Sequence, residues 1–322
     1  VSAVSSDREF SEEPFIDAVG RHLNAPIHKI SLDLLPDSVF DLLDTVIWHN
    51  DQPISGLSTV AHYLLMQRAK ALGVTVLLSG QGGDEVLCGY RKYVGFYLQD
   101  LARRWQWAAA IGVLAGFARR RSILPQVTMR DARRYLPGGR SGSKSNGRGE
   151  RINLGLGDGD LTARQVLDLN RLTVPSLVHY EDRMSMAFAR EIRLPFLDYR
   201  LADAMVAQPP TVKLHDGWTK WIFRRAMAPD LPPDVAWRRD KQGFLNPQRK
   251  WLKQDLAGRI RGIFSKEMYA ADLGLIDQAA LRRLYDDYVA EDVRRGRVHD
   301  RDVFGPLALE VWLRRYEAHI AH

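Results

Sequence analysis

At 322 residues with a hydrophobic fraction of 45%, the chain is long enough for about two domains of roughly 150 residues each and carries material for a sizeable core. Its only cysteine, Cys88, excludes an intrachain disulfide and suits a reducing cytoplasm, the expected location. The formal net charge of +7 is uneven: residues 1–100 hold 7 Lys or Arg against 13 Asp or Glu, so residues 101–322 carry the basic excess.

That basic half fits nucleic acid, a membrane surface, or a basic face beside a polyanionic cofactor such as a nucleotide. No helix-turn-helix, finger or aromatic-basic interleaving accompanies it, which disfavours nucleic acid as a partner. There is no signal peptide and no run of about 18 apolar residues, so no transmembrane segment is expected. Residues 105–117 (WQWAAAIGVLAGF) are too short to span and are flanked by Arg103, Arg104, Arg119 and Arg120. They read as a buried helix, or as one lying on another protein or a membrane surface.

In chain order, VSAV reads as a strand, followed by an acidic-first helix over 9–23 and a short strand over 27–32. A helix over 36–48 puts Val39, Leu42, Leu43, Val46 and Ile47 on one side and ends near Asp51, before Pro53. Asp51 is either a cap or a ligand-facing acid. A further helix over 60–72 stops at Gly73. Residues 74–78 (VTVLL) then read as a short buried strand. This alternation predicts an α/β fold with a parallel, doubly wound sheet, followed by a mainly helical region. The expected division is an α/β nucleotide-binding layer at 1–97, incomplete at its N-terminus, and a mainly helical part at 98–322. Within the second part, the Gly- and Ser-rich stretch 137–160 reads as a flexible loop. Helices are expected over much of 98–136 and at 163–174, 176–188, 198–206, 218–227, 248–254, 274–288 and 303–318.

The strand at 74–78 runs directly into Ser79-Gly80-Gln81-Gly82-Gly83-Asp84-Glu85. This is no dinucleotide fingerprint, because Glu85 stands where GxGxxG needs its last glycine. The stretch GRSGSKS is no Walker A loop, since Ser143 precedes its lysine. Two readings of SGQGGDE remain. One is a glycine-rich turn with solvent-facing acids. The other is a phosphate and metal site, with backbone N–H groups around Gly80, Gly82 and Gly83 holding oxyanions and Asp84 holding Mg²⁺.

Two later blocks join it. In residues 181–203, Arg183 and Met184 suit a helix packed on the core, and Glu191, Arg193 and Asp198 bracket a fixed LPF turn; buried charges here need partners, and their pairings read as architectural or functional. In residues 213–227, Lys220 follows the Gly217 loop at the start of a helix, placed for a phosphate or simply part of a solvated basic face. A Gly243-Phe244 turn among basic residues follows.

Together, LLSGQGGDEVLCGYRKY, DRMSMAFAREIRLPFLDYRLAD, KLHDGWTKWIFRRAM and DKQGFLNPQRKWL resemble the synthetase domain of the glutamine-dependent asparagine synthetase family, over most of residues 1–255. The resemblance implies an ATP-pyrophosphatase-type sheet of the adenine-nucleotide alpha-hydrolase kind, with ATP and Mg²⁺ as cofactors. It implies adenylation of aspartate to β-aspartyl-AMP, release of pyrophosphate, and attack by ammonia to give asparagine and AMP. Ser79, Gly80, Gly82, Gly83 and, more loosely, Asp51 would then bind the nucleotide, and Asp84 the metal. Gln81, Lys220 and Arg183 would be the catalytic positions. It further implies small-molecule substrates, an N-terminal glutaminase domain as partner, and room for a homodimer.

Three departures qualify the likeness. Gln81 stands where the family has glutamate, and a neutral amide cannot take a proton. The family's SGGxDS loop and its glutaminase domain are both missing from the sequence, which leads to the expectation that an N-terminal half precedes it and that these 322 residues alone do not make amides from glutamine. An amide ligase acting on a sugar, peptide or other carboxylate, and a non-catalytic scaffold, stand as alternatives.

Overall fold

The computed structural model describes residues 1–5, 11–33, 36–122, 160–239, 248–290 and 298–320. The expected loop at 137–159, the helix expected over 123–136 and the Gly243-Phe244 turn lie outside them.

The chain opens as a parallel unit: β1 (Ser2–Val4), α1 (Glu13–His22) and β2 (Lys29–Ser31). Ser2 pairs with Lys29 and Val4 with Ser31. Helix α1 starts with Pro14 in its first turn, where a missing N–H costs nothing, and ends on Arg21 and His22, favourable to its C-terminal dipole. Next come α2 (Pro36–Asn50), α3 (Ser58–Ala71), β3 (Val76–Leu78) and α4 (Gly83–Val86). Helices α5 (Arg91–Arg103) and α6 (Trp107–Arg120) follow. After the undescribed stretch, α7 (Leu161–Leu167) runs into a π-helical turn (Asp168–Leu172), and α8 (Val174–Met186) leads to β4 (Glu191–Arg193). The remainder is helical: α9 (Tyr199–Val206), α10 (Pro210–Lys213), α11 (Trp221–Met227), α12 (Pro233–Ala236), α13 (Gln248–Lys250), α14 (Ala257–Ser265), α15 (Tyr269–Asp272), α16 (Gln278–Ala290) and α17 (Asp300–Ile320). The α/β opening and helical remainder agree with the sequence.

The doubly wound sheet does not form among the described residues. Instead there are two separate parallel pairs, β1 with β2 and β3 with β4. The strands are only three residues long, and β3 takes its partner from Glu191–Arg193, a segment with too little apolar patterning to announce a strand. Nor is β3 buried: Leu77 packs on the core, whereas Val76 is exposed and Leu78 is 76% exposed. A strand covered on one face alternates in this way.

The main core lies between α2, α3, α8 and the C-terminal helices. Val46, Ile47, Met184, Tyr288 and Phe304 are fully buried there. A second cluster, centred on Tyr93, Phe96, Phe117 and Leu161, joins α5, α6 and α7. Met184 of α8 belongs to the first cluster, and Tyr180 of the same helix reaches the glycine loop. No helix among the described residues is long and apolar enough to cross a membrane.

Candidate active site

The loop after β3 is fixed from both ends. The Ser79 N–H donates to the Arg193 carbonyl at 3.0 Å, carrying the β3–β4 ladder one residue past the strand. The three glycines have different jobs. At Gly82 the backbone is left-handed (φ 86°) and a Cβ would overlap Leu197, so no other residue fits without strain. Gly83 lies against the Phe196 ring. Gly80 alone faces open space, with nothing within 4 Å of where its Cβ would be. The N–H groups of Gly80 and Gly82 have no acceptor among the described residues. Two undonated amides beside an open face suit an oxyanion.

The neighbouring acids have separate environments. Asp84 meets the Lys220 ammonium at 2.8 Å. Gly89 makes that contact feasible, because a Cβ there would collide with the Asp84 carboxylate and the Lys220 stem. Lys220 caps α11 in the left-handed region, φ 54°, rather than riding in its first turn. Glu85 is buried at 1% exposure and bonds Tyr90. Burial pushes its carboxyl above the usual range, against the pull of its own backbone N–H and the Tyr90 hydroxyl. Its Oε1 is buried without a hydrogen-bond partner among the described residues.

Helix α8 supplies the opposite side. Its Tyr180 hydroxyl accepts from Gln81 Nε2 at 2.9 Å. Glu181, 2% exposed, bonds Ser79, and its Oε2 has no partner. Burial raises the Glu181 carboxyl, with the Ser79 contact acting against it. Arg183, two residues on, forms an ion pair with Asp51, which sits at φ 59° after α2. The Asp51 carbonyl accepts from Trp312 Nε1 at 3.1 Å, so α17 pins the same corner. His62 of α3 packs edge-on to Tyr180; burial lowers its pKa to about 4, and its Nε2 has no partner.

Ser79 through Asp84 therefore share one loop with Lys220 attached, while Asp51 and Arg183 connect to it through α8. Glu191–Arg193 and Asp198–Arg200 form ion pairs, yet all four side chains are substantially exposed, not buried as the sequence suggested. Sequence reasoning overlooked Tyr180, Glu181 and His62. The available signal was Glu181 opening the block 181–203 that carries Arg183, with Tyr180 just before it.

Behind the loop lies a buried polar support. Gln165 Nε2 donates to the carbonyls of Glu85 and Val86, and Lys213 Nζ donates to Gln165 Oε1 at 2.8 Å. In the π-helical turn, Asp168 collects Arg164, Lys92, Tyr93 and Thr173. Burial would raise its carboxyl, but Arg164 and Lys92 outweigh that and hold it below the usual range. Cys88 is buried, and burial pushes its thiol up to about 12, too high for a nucleophile.

No group of three or more His, Cys, Asp or Glu able to hold a metal occurs among the described residues. Asp84 offers one carboxylate, which fits Mg²⁺ because that ion commonly takes one or two carboxylates and completes its shell with water and phosphate oxygens. A cavity of about 300 Å³ opens between Trp218, Trp221, Trp237, Arg120 and Arg239, on both sides of Lys220 in sequence.

The asparagine synthase family model matches residues 1–314. Asparagine synthetase [glutamine-hydrolyzing] 1 of Bacillus subtilis (strain 168) is 26% identical over 293 residues, 84% of this chain and 46% of that protein. A putative asparagine synthetase [glutamine-hydrolyzing] of Mycobacterium tuberculosis (strain ATCC 25618 / H37Rv) is 28% identical over 276 residues, 78% of this chain and 41% of that protein. Amidase chyE of Penicillium rubens is 23% identical over 299 residues, 79% of this chain and 44% of that protein. The chain spans less than half the length of each of these relatives.

Proposed function

Because the chain belongs to the asparagine synthase family, we propose that it is the synthetase part of an ATP-dependent amide-forming ligase. One observation carries this reading: the Asp84–Lys220 pair stands beside a glycine loop whose Gly80 faces open space with an undonated amide. That set suits a nucleotide triphosphate, with backbone donors for phosphate oxygens, a cation for the departing charge and one acid for a metal.

In this reading a substrate carboxylate oxygen attacks the α-phosphorus of ATP, the bond to pyrophosphate breaks, and an acyl-adenylate forms. Ammonia then attacks the acyl carbon, AMP leaves, and the amide nitrogen gives up a proton. The N–H groups of Gly80 and Gly82 hold phosphate oxygens. Lys220 neutralises pyrophosphate, exchanging its Asp84 contact for the leaving group. Bound Mg²⁺, held by Asp84 and phosphate oxygens, would supply further charge neutralisation. Gln81 cannot take the proton of the second step, since its amide is neutral and donates to Tyr180. Glu181 is the acid–base group we assign, because it is buried next to Ser79 with a raised pKa and one unpartnered oxygen. Arg183 and Asp51 set the position of α8 and hence of Glu181. Ammonia would come from a glutaminase domain, as the names of the bacterial relatives suggest for those proteins.

Aspartate is the first acceptor to test. A different carboxylate is the second reading, favoured by Gln81, whose neutral amide donates to Tyr180. The test is pyrophosphate release by the full-length protein with ATP, Mg²⁺, ammonium and a carboxylate panel running from aspartate to peptide and sugar acids. One carboxylate should give pyrophosphate, AMP and amide in equal amounts. Nucleotide binding without carboxylate-dependent pyrophosphate across the panel would instead mean a scaffold.

A further inference from the structure

Helix α6 is apolar on the face it shows to water. Phe117 and Ala110 bury one side, and Gly116 lets the backbone lie against Gly217. The other side carries Trp107, Ala108, Ile111, Leu114 and Ala115, all exposed, and Trp105 just before the helix is 80% exposed. Trp105 and Trp107 touch edge to face with centroids 6.3 Å apart, forming one aromatic corner. An exposed apolar surface of this continuity marks an interaction site.

The charges flanking it choose the partner. Residues 101–122 contain five arginines and no acid. Arg103 and Arg104 stand at the N-terminal end and Arg119 and Arg121 at the other, all exposed. Asp216 pairs with Arg119 and Arg120, and Asp100 lies 3.7 Å from Arg103, so the five arginines still outnumber the acids they pair with. A second copy would set arginines against arginines. The stretch 123–159 is no better matched, with seven Lys or Arg against three Asp or Glu. An anionic lipid surface complements both features, since acyl chains accept the apolar face and headgroups the arginines. At 14 residues the helix reaches about 21 Å, short of a hydrocarbon core of about 30 Å, so it lies in the interface rather than crossing it.

We propose that α6, with Trp105 and its flanking arginines, docks this protein onto anionic membrane surfaces. Tryptophan at one end of the helix places the polar edge of its ring at headgroup level. The inference is independent of the ligase assignment.

The test is co-sedimentation of the full chain with vesicles of phosphatidylcholine alone, or of equal parts phosphatidylcholine and phosphatidylglycerol. Binding should appear with the mixed vesicles, fall with added salt, and be weak on phosphatidylcholine. Replacing Trp105→Ser and Trp107→Ser should lower partitioning by about tenfold or more. Replacing Arg103→Gln and Arg104→Gln should lower it by roughly thirtyfold at low salt. All four positions are exposed, so circular dichroism and thermal unfolding should match the parent. No binding to mixed vesicles, equal binding to neutral ones, or full binding by the tryptophan variant would overturn the proposal. So would concentration-dependent dimerisation in the absence of lipid that the tryptophan variant abolishes, which assigns the face to a second copy.

Discussion

Lys220 lies 2.8 Å from Asp84, and the space that lets them meet is the missing side chain of Gly89. The pair sets a cation and an acid beside the glycine loop, each satisfied by the other. Replacing Lys220→Met should lower pyrophosphate release by about two to three orders of magnitude, as removal of a preorganised charge does. Gly89→Ala tests the arrangement without touching either charge. It should cost about tenfold to a hundredfold in rate by misplacing both groups, and parent-like turnover by that variant would break the link between geometry and activity.

Glu181 gives the clearest opposition between stability and activity. Its folded pKa is raised, so the folded state binds its proton more tightly than the unfolded chain does. Stability from this group is therefore fully present below the unfolded carboxyl pKa and declines as pH rises through the folded one. Glu181→Gln should raise the melting temperature at pH 8 and abolish the amide-forming step, and a variant no more stable than the parent would show that the buried carboxylate carries no such cost.

His62 works in the other direction. Its pKa is lowered to about 4 by burial, so the folded protein keeps the ring neutral while the unfolded chain protonates near 6.5. Its stability contribution is complete above pH 6.5 and fades as pH falls toward 4, by about 3 kcal/mol in all. Denaturant titrations of the parent and His62→Phe should diverge across that window, the parent losing more. Parallel curves would mean that the imidazole is protonated in the folded state.

Gly82 is held by two constraints at once, a left-handed backbone and the Leu197 side chain. Gly82→Ala should destabilise the protein by about 1–3 kcal/mol. Adding Leu197→Ala should recover part of that loss relative to the sum of the single changes, because the two side chains compete for the same space. Strict additivity in chemical denaturation would leave only the backbone contribution.

The sequence made some of these features legible and hid others for physical reasons. Glycines before acids after an apolar run marked the loop, because those residue types follow from backbone approach to an anion. The periodicity of residues 36–48 placed α2, whose inner face is Val39, Leu43, Val46 and Ile47, since a buried helix face repeats on a local period. Strand β4 was not legible: Glu-Ile-Arg has one inward side chain, and its strand character comes from pairing with a distant segment. The doubly wound sheet was inferred from the order of elements, yet order does not say which strands share hydrogen bonds. Glu181 was hidden because its neighbours in space, Ser79 and the loop, are far from it in sequence, so the burial that raises its pKa is invisible locally. Asp84 and Lys220 were each nominated separately, but nothing in either stretch revealed that Gly89 joins them.

The pairing of β3 with β4 also bears on when this loop can take its shape. Arg190 Nη1 reaches the Val74 carbonyl across 116 residues of chain, and among the described residues the strand partner of β3 is β4. A ribosome that has finished the glycine loop has made its residues but not its shape. Its anchors, the Arg193 carbonyl that accepts from the Ser79 N–H and the Leu197 side chain against Gly82, are made only after α5 through α8 have emerged. Such distant contacts are slow to form. The loop's shape is thereby tied to a three-residue strand that draws no notice in the sequence, and to Leu197 and Lys220 still further along the chain.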